Sequence, residues 1–444
     1  MRRFGLKSTR VVGPRGMEPA TVVVVDGRIE AVETGDVGLA ETRDLGELVL
    51  APGLVDCHVH VNEPGRSEWE GFETATRAAA AGGVTAIVDM PLNCLPVTTN
   101  RAALAVKLAA CAGKCCIDIG FWGGVVPGNA EALEGLAAGG ALGCKAFLVH
   151  SGIDEFPNAT ERDLRQALPV LKDAGLPLLA HAELELDGPA TTGDARAYAT
   201  YLASRPAAWE DAAIRLLVEL CRETRCAVHI VHLSAASSLP LLRRAKEEGL
   251  PITVETCPHY LCFEAEGIAD GATEYKCAPP IREHENREAL WQGLLDGAID
   301  FVITDHSPCL PALKCKPAGD FGAAWGGIAS LQLGLSALWS EASRRGATPA
   351  DLSRWMSEAP ARFAGLGGKK GRIARGYDAD FVVWDPDARF AVGESALFFR
   401  HPVSPYLGRE LAGGVRETWL RGQRIFADGT HSPAPLGVPL LGRA

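Results

Sequence analysis

Membrane spans, a secretory signal and paired cysteines are missing from this sequence. No apolar stretch is long enough to cross a bilayer, so a membrane partner is not expected. Residues 1–10 are basic but lack the apolar core of a secretory signal. The 13 cysteines include no C-x-x-C pair, and many of them lie inside apolar runs. An odd number of dispersed thiols is typical of a reducing compartment, so the sequence predicts a cytoplasmic protein.

An excess of positive charge is missing as well. The formal net charge is −11 at pH 7, which argues against a surface that binds nucleic acid. Apolar residues make up 47% and charged residues 22% of the chain, as in ordinary soluble globular proteins. A chain of 444 residues is longer than one small core requires, and it predicts one large domain together with a smaller one.

Short β-branched runs alternate with runs rich in Ala, Leu and Glu after residue 50. The predicted strands are 48–60, 85–90, 117–126, 143–150, 176–183, 227–234, 252–260 and 300–306. The predicted helices include 68–81, 101–112, 161–174, 207–224, 237–248 and 286–296. Strands that alternate with helices pair in parallel, and eight such units predict a (β/α)8 TIM barrel of the α/β class. A doubly wound sheet is the alternative, but no G-x-G-x-x-G motif follows an early strand.

The two ends of the chain have a different pattern. Residues 21–25 and 28–32 flank Asp26-Gly27, which is a signal for a β-hairpin. Near the other end, 381–384 and 418–420 are predicted strands, and a turn at 421–423 precedes 424–426. We expect both ends to build one small β-sandwich beside the barrel. The predicted division is therefore 1–50 and 367–444 for the sandwich and tail, and 51–366 for the barrel.

Polar side chains stand at the ends of several predicted barrel strands. His58 and His60 end the first strand, and residues i and i+2 of a strand point to the same face. Later strands end with or carry Lys145, His181, His232 and Asp305. A single histidine at a strand end is more often a hydrogen-bonded core residue than a ligand. Since active sites of these barrels lie at the carboxyl ends of the strands, the whole set predicts a metal site there.

Lys145 is the unusual member of this set. A lysine ammonium beside divalent cations is strongly repelled, whereas a neutral amine can react with carbon dioxide to give a carbamate. The two carbamate oxygens are enough to bridge two metals, and an ordinary ion pair of Lys145 is the alternative. Nitrogen and oxygen ligands with open positions suit zinc, and they also accept manganese, cobalt or iron.

A pair of such metals supports a specific chemistry. Two cations about 3.5–4 Å apart share a water and lower its pKa toward neutrality. Asp305 would bind one metal, take the proton of the nucleophile and hand it to a leaving nitrogen. The predicted reaction is metal-assisted hydrolysis of an amide, with Asp305 as its catalytic residue.

Several motifs together resemble the cyclic amidohydrolases, and within them most of all the allantoinase family. They lie at 58–66, 68–72, 89–93, 143–147, 255–260, 276–282 and 305–309. The resemblance spans nearly the whole chain. It implies that one metal is held by His58, His60 and Asp305, that the other is held by His181 and His232, and that carboxylated Lys145 bridges them. His229 lies three residues before His232 and would face the opposite side of a strand, so we assign it to structure.

The substrate side of the site is predicted from the same resemblance. Dihydroorotases carry an arginine where this chain has Asn62, and that arginine pairs with a substrate carboxylate. Asn62 is uncharged and suits a neutral ureido-hydantoin such as allantoin, although it is also a common turn residue. The resemblance to hydantoinases implies ring contacts near Ala278 and around Trp325-Gly326. The remaining predicted pocket residues are Ser151 and Gly152 as oxyanion donors, and His306 and Ser307 in the last loop.

The function expected from this resemblance is hydrolysis of allantoin to allantoate with two divalent metals, most simply zinc. The family is often tetrameric, so a homotetramer is expected. A hydantoinase, dihydropyrimidinase or dihydroorotase activity is one alternative. A non-catalytic scaffold related to dihydropyrimidinases is another, although such relatives lack several metal ligands. His150 stands where hydantoinases place a tyrosine, and 309–320 is predicted to form a loop over the pocket.

Overall fold

A computed structural model describes residues 2–35, 37–187 and 191–442. The described strands, in chain order, are β1 Arg3–Gly13, β2 Gly16–Val25, β3 Arg28–Glu33, β4 Thr42–Asp44, β5 Val49–Pro52, β6 Leu54–Val59, β7 Val84–Asp89, β8 Asp118–Phe121, β9 Gly123–Gly124, β10 Cys144–Phe147, β11 Leu178–His181, β12 Val228–Ile230, β13 Ile252–Thr256, β14 Phe301–Val302, β15 Phe381–Ala391, β16 Glu410–Leu420, β17 Gln423–Ala427, β18 Thr430–His431 and β19 Pro439–Leu440.

The described α-helices, in chain order, are α1 Phe72–Ala81, α2 Arg101–Cys111, α3 Leu133–Ala138, α4 Glu161–Asp173, α5 Tyr198–Ser204, α6 Ala207–Thr224, α7 Leu239–Glu247, α8 Pro258–Cys262, α9 His284–Leu295, α10 Gly334–Ala342, α11 Pro349–Ser353 and α12 Ala359–Phe363. A π-helical turn, Arg354–Glu358, joins α11 to α12. Within the described ranges, none of these helices combines the length and apolar character needed to span a membrane.

Strands from both ends of the chain form one sheet. Its order is β18-β17-β16-β15-β5-β1-β2-β3, and β4 pairs with β1. The hairpin between β2 and β3 forms as predicted, with Asp26 and Gly27 at φ values of 46° and 82°. Positive φ at both central positions belongs to the turn whose twist matches that of paired strands. The domain limits at 50 and 366 stay a prediction, and the outermost residues 1 and 443–444 lie outside the described part.

The barrel strands β6 to β14 all pair in parallel and confirm the (β/α)8 fold. Strands β8 and β9 are two parts of one barrel strand, since β8 pairs with β7 and β9 pairs with β10. A parallel bridge between Val59 and His306 closes the ring. The amide of His60 donates to the carbonyl of His306 at 2.8 Å, so the first and last strands meet beside the predicted ligands.

Two strand predictions need correction. The run 48–60 is not one strand, because β5 belongs to the terminal sheet and β6 to the barrel. Gly53 separates them, and a Cβ atom there would lie 2.3 Å from Oγ1 of Thr85, so only glycine permits this approach. The run 252–260 is also too long, since β13 ends at Thr256 and Pro258 begins α8. Proline is favoured in the first turn of a helix, where its missing N–H is not needed.

A buried ion cluster joins the barrel to the terminal segments. Nζ of Lys370 lies 2.8 Å from Asp118, which begins β8, and 2.5 Å from Asp380. Nη1 of Arg421 lies 2.7 and 2.6 Å from the two carboxylate oxygens of Asp118. Burial opposes the charge of Lys370, but the carboxylates of Asp380 and Asp118 outweigh it and raise the lysine pKa above its ordinary value.

Candidate metal centre

His58, His60 and Asp305 form a cluster of buried side chains that could hold a metal ion. One potential ligand atom from each lies within 4.8 Å of the other two. Oδ1 of Asp305 is 3.2 Å from Nε2 of His58 and 3.5 Å from Nε2 of His60. His58 lies in β6, His60 follows the last residue of that strand, and Asp305 reaches the same point from the segment after β14. The nitrogens and oxygen suit a divalent cation such as zinc.

His181 and His232 form a second pair of nitrogens next to this cluster. Nδ1 of His181 lies 3.0 Å from Nε2 of His232, and the rings of His58 and His232 are 5.3 Å apart. His181 ends β11, whereas His232 lies two residues beyond β12. The converging ring nitrogens make a second position where a cation could bind.

Two of the predicted ligands occupy an unusual backbone conformation. His232 has a φ of 38° and Asp305 a φ of 44°, in the left-handed region that residues with a Cβ atom rarely adopt. Such angles persist only where the surrounding structure holds them, and they are common at functional sites. The left-handed backbone turns both side chains toward the barrel axis just after their strands have ended.

Lys145 lies within β10 with its side chain fully buried. Among the described residues, no hydrogen-bond partner meets its Nζ atom, which lies 5.1 Å from the ring centre of Phe147. Burial lowers the lysine pKa to about 8, although the charges of Asp305 and Glu255 oppose this shift. An amine with a lowered pKa and no partner is the form that can react with carbon dioxide, so this residue fits the predicted bridge.

Burial also favours the neutral form of two of these imidazoles, His58 and His232. It is the main cause that lowers the pKa of His58 well below its ordinary value, and the charge of Lys145 adds to it. Burial likewise lowers the pKa of His232, with contributions from His181 and Lys145. Neutral imidazole is the form that binds metals, so the electrostatics of the site agree with the ligand role.

Glu255 orients one of the metal-site histidines, and the sequence prediction missed it. Its Oε1 lies 2.6 Å from Nδ1 of His58, and its Oε2 lies 3.0 Å from Nε2 of His229. A carboxylate on the second nitrogen of a ligand histidine fixes the tautomer and raises the basicity of the ligand nitrogen. The available signal was a glutamate in the middle of a buried strand, since such residues are rarely buried without a partner.

Glu183 gives the same support to the second pair. Its Oε2 lies 2.7 Å from Nε2 of His181, and both of its oxygens also accept hydrogen bonds from Arg205. Asn93 lies beside the first pair, with Nδ2 at 3.3 Å from Nδ1 of His60. The sequence assigned no role to either residue, although Asn93 ends the motif 89–93 and Glu183 ends the predicted strand 176–183.

His229 is buried away from these nitrogens. Its Nδ1 lies 2.7 Å from Oγ1 of Thr253, and its ring stacks on Phe301 at 5.1 Å. With Glu255 on the other nitrogen, both positions of the ring already have partners. Its surroundings are those of a structural residue.

A cavity of about 480 Å³ opens above the candidate metal centre at the barrel mouth. Its wall contains these predicted site residues: His58, His60, His181, His232, Asp305, Ser151, Gly152, Ala278, Ser307, Trp325 and Gly326. The wall also contains residues that the sequence did not indicate, Tyr201, Ser204, Arg205 and Trp209, together with Asn93 and Lys276 from the motifs 89–93 and 276–282. Lys145 is not part of the wall, and its side chain is fully buried.

Asn62 and His306 are not among the residues that line this cavity, and a substrate role for Asn62 stays a prediction. Asn62 is buried at a φ of 66°, and its Nδ2 donates to the carbonyl of Pro308 at 3.2 Å. It therefore behaves as the turn residue that was its alternative. His306 is fully buried, and its Nδ1 accepts from the amide of Ser330 at 3.1 Å. Both side chains hold the last barrel loop instead of contacting the cavity.

The hydroxyl of Ser151 and the amide of Gly152 reach the wall but are already engaged. Oγ of Ser151 donates to the carbonyl of Phe156 at 2.6 Å. The amide of Gly152 donates to Nδ1 of His150 at 3.1 Å, which gives His150 a role in shaping this loop. An oxyanion would have to displace these internal bonds before either group could donate to it.

The segment 309–320 forms part of the cavity edge, with Leu313 on the wall. It contains a short 3-10 helix, Pro311–Lys314, and Nζ of Lys314 is buried beneath it. That ammonium donates to the carbonyl of Trp325 at 3.0 Å and to the carbonyl of Gly327. The lysine ties this segment to the backbone around Trp325-Gly326, which the resemblance assigns to the substrate.

The sequence model of the amidohydrolase family matches residues 49–425. The chain belongs to the amidohydrolase family. It is similar to the allantoinase of Streptomyces avermitilis, with 51% identity over 429 residues that cover 96% of this chain and 95% of that protein. It is 45% identical over 456 residues to the allantoinase of Arabidopsis thaliana, covering 98% and 90% of the two chains. The solved L-hydantoinase (dihydropyrimidinase) of Arthrobacter aurescens superposes with a TM-score of 0.92 at 28% identity and 100% coverage of both chains.

Proposed function

We propose that this protein is an allantoinase, a hydrolase that opens the hydantoin ring of allantoin to give allantoate. The observation that carries the proposal is the identity of 51% and 45% to allantoinases over nearly the whole chain. The barrel, the cavity and the converging histidines supply the site that such a reaction requires. Allantoin is small and uncharged, and a cavity of about 480 Å³ accommodates it.

His58, His60 and Asp305 would hold one divalent metal, and His181 and His232 would hold the second. Donor type supports this, since neutral imidazole and carboxylate suit zinc and also manganese, cobalt or iron. When bound, the metals lower the pKa of water and polarise the carbonyl of the scissile amide. Zinc is the proposed metal, and the converging nitrogens of His181 and His232 at 3.0 Å are the feature that supports a second site.

Lys145 would connect the two metal positions as a carbamate. Its neutral Nζ would attack the carbon of carbon dioxide and lose one proton, so that the product carries a negative charge on two oxygens. The buried Nζ without a partner among the described residues supports this role. The carbamate would also replace a cation by an anion at the centre of the site, which removes the repulsion of the metals.

Asp305 would move the proton in the reaction. Water attacks the carbonyl carbon of the ring amide, and the carboxylate of Asp305 accepts one of its protons. The bond between that carbon and the ring nitrogen breaks, and Asp305 returns the proton to the leaving nitrogen. The backbone around Ala278 and Trp325-Gly326, which lines the cavity, would hold the ring in the orientation for attack.

A substrate panel tests this proposal. Purified enzyme loaded with zinc, manganese or cobalt is given allantoin, hydantoin, dihydrouracil and dihydroorotate, and the ring-opened products are quantified. We expect the highest kcat/KM with allantoin. A higher value with hydantoin or dihydrouracil would replace the proposal with a hydantoinase activity, which the superposition with L-hydantoinase favours as the second candidate.

The same preparation addresses the remaining expectations. We propose a homotetramer, because relatives in this family are often tetrameric, and light scattering after size exclusion measures it. We also propose a cytoplasmic location, supported by 13 cysteines that suit a reducing compartment. A scaffold protein without catalysis would bind no stoichiometric metal, so metal analysis of the purified chain separates that alternative from the enzyme.

A further inference from the structure

Arg205 lines the cavity, although it belongs to neither group of potential metal ligands. It follows the last residue of α5, and its guanidinium is held by a buried carboxylate. Nε donates to Oε1 of Glu183 at 3.0 Å, and Nη2 donates to Oε2 of the same residue. Glu183 in turn contacts His181, so the position of the guanidinium is set from behind the cavity wall. A guanidinium that is held in this way loses little conformational entropy when a ligand binds.

One side of the same guanidinium is not engaged. Nε and Nη2 donate to Glu183, and within the described ranges Nη1 donates to no acceptor. The side chain is 20% exposed. Since a guanidinium carries five N–H donors in one plane, the two hydrogens of Nη1 stay available to an acceptor in the cavity.

The surroundings of Arg205 favour an uncharged acceptor. Its positive charge is already matched by the carboxylate of Glu183 in a two-point contact, so an incoming anion meets a neutral pair. Lys276 is the other cation on this wall, and its Nζ donates to the carbonyls of Gly322 and Ala324. The ring of Trp209 lies 5.9 Å from the guanidinium carbon and offers a flat apolar contact. A planar, neutral carbonyl group fits this combination better than a carboxylate.

We propose that Arg205 and Trp209 form a subsite for the ureido group of the substrate, with Nη1 of Arg205 donating to the ureido carbonyl. This inference rests on the proposed function, because allantoin carries a ureido group on its ring and hydantoin does not. The ring amide, which both compounds contain, would be hydrolysed at the metal centre. Arg205 therefore determines specificity between two substrates that present the same scissile bond.

The test substitutes Arg205 by lysine. Arg205→Lys keeps a cation opposite Glu183, but a single ammonium cannot both pair with that carboxylate and donate into the cavity. We measure kcat and KM for allantoin, the Ki of hydantoin as a competitor of allantoin turnover, and the metal content. A hydrogen bond to a charged group is worth enough that kcat/KM for allantoin falls by about 10- to 100-fold. The Ki of hydantoin and the metal content stay at wild-type values.

Arg222→Lys is the matched control. Arg222 also contacts a glutamate through Nε and Nη2, but it lies on the exposed side of α6 and pairs with Glu248. This control keeps wild-type kinetics with both compounds. The subsite is overturned if Arg205→Lys leaves allantoin turnover unchanged, or if allantoin and hydantoin weaken together. It is also overturned if metal is lost, since Arg205 then acts only through Glu183 and His181.

The two proposals fail in different ways. If the metal-loaded wild type does not open allantoin, the proposed function fails before any variant is measured. If the wild type opens allantoin but Arg205→Lys discriminates between allantoin and hydantoin as the wild type does, only the proposal of the ureido subsite is refuted.

Discussion

Lys145 and Lys370 are both buried, but their surroundings differ. Lys370 lies in the junction between the barrel and the terminal sheet, with Asp118 and Asp380 within 2.8 and 2.5 Å of its Nζ. Lys145 lies beneath the cavity, where the described residues offer its Nζ no hydrogen bond. The pKa of Lys370 is raised by its carboxylates against the effect of burial, and the pKa of Lys145 is lowered by burial to about 8.

Lys107 resembles Lys370, because its buried ammonium also has a carboxylate partner. It is fully buried, and its Nζ lies 2.6 Å from Asp89 and 2.7 Å from the carbonyl of Met90. A buried lysine without such partners costs several kcal/mol, so a fold retains it only where something else compensates for it. The comparison teaches that Lys145 is placed for a reaction or a ligand, and Lys370 and Lys107 for structure.

The largest expected effect is that of Lys145→Ala. Loss of the bridging group should reduce metal content and lower kcat/KM for allantoin on the order of 10³-fold or more. A short carboxylic acid added to the variant should restore part of the activity, since it can supply two oxygens in the empty space. Metal analysis and initial rates with and without the acid measure this. Full metal occupancy in the variant would contradict the bridge.

Asp305→Asn tests the proton transfer at the same end of the barrel. The amide cannot accept and return a proton, so kcat should fall by about 10²- to 10⁴-fold while the fold is kept. Thermal unfolding and the bell-shaped pH dependence of kcat/KM are measured beside the wild type. An Asn variant that keeps wild-type turnover would refute the role of Asp305.

Lys370→Met tests the structural side of the comparison. Removing the cation leaves the carboxylates of Asp118 and Asp380 buried without it, which should lower the free energy of unfolding by about 3–5 kcal/mol. Since the junction is remote from the cavity, kcat and metal content at low temperature should stay normal. Urea denaturation and rate measurements at 15–20 °C, where the variant is still folded, separate the two outcomes. If Lys370→Met lost metal but kept the wild-type free energy of unfolding, the structural role of Lys370 would be contradicted.

The pH dependence of stability should have opposite signs at the two lysines. In metal-depleted protein, Lys145 is neutral above its pKa of about 8, whereas the unfolded chain keeps that lysine protonated up to about 10.5. Unfolding therefore takes up a proton between these values, and the contribution of Lys145 to stability rises with pH by up to about 3 kcal/mol. Lys370 stays protonated in the fold above 10.5, so its contribution falls as pH rises further.

The difference in unfolding free energy between wild type and each methionine variant isolates these contributions. The comparison uses Lys145→Met and Lys370→Met from pH 7.5 to 11 in the absence of metal and bicarbonate. If this difference in unfolding free energy changes with pH in the same direction for both variants, the prediction of opposite signs is contradicted.

Local sequence patterns predicted much of the fold. The repeated alternation of apolar runs identified the barrel, and Asp26-Gly27 located a hairpin, because period and turn chemistry are properties of neighbouring residues. One limit was wrong beside Gly53, where β5 has ended and Thr85 leaves no room for a Cβ atom, a contact that cannot be read from the residues around position 53. The other was wrong at Pro258, which begins a helix.

The candidate site shows the same division. The H-x-H pair could be recognised because residues that are two positions apart on a strand point to the same face. The left-handed backbone of Asn62 and the hydrogen bond from its Nδ2 to the carbonyl of Pro308 could not be read from its neighbours in the sequence. Glu255 was given no role, because its partner His58 lies 197 positions away on another strand. Glu183 lies only two residues after His181, but the contact with Arg205 that fixes its position arises in the folded chain.

The amino-acid sequence by itself determined the residue types of the site, the order of strands and helices, and the family of the fold, because each depends on side-chain chemistry and short-range spacing. The tertiary structure alone decided which buried lysine has no hydrogen-bond partner for its ammonium among the described residues, which glutamate supports which histidine, and how Arg205 faces the cavity. Several of those relations join residues far apart in the sequence: 22 positions for Glu183–Arg205, 197 for His58–Glu255 and 303 for Asp118–Arg421. Burial and partnership at such sites arise only when the closed barrel brings its strands together.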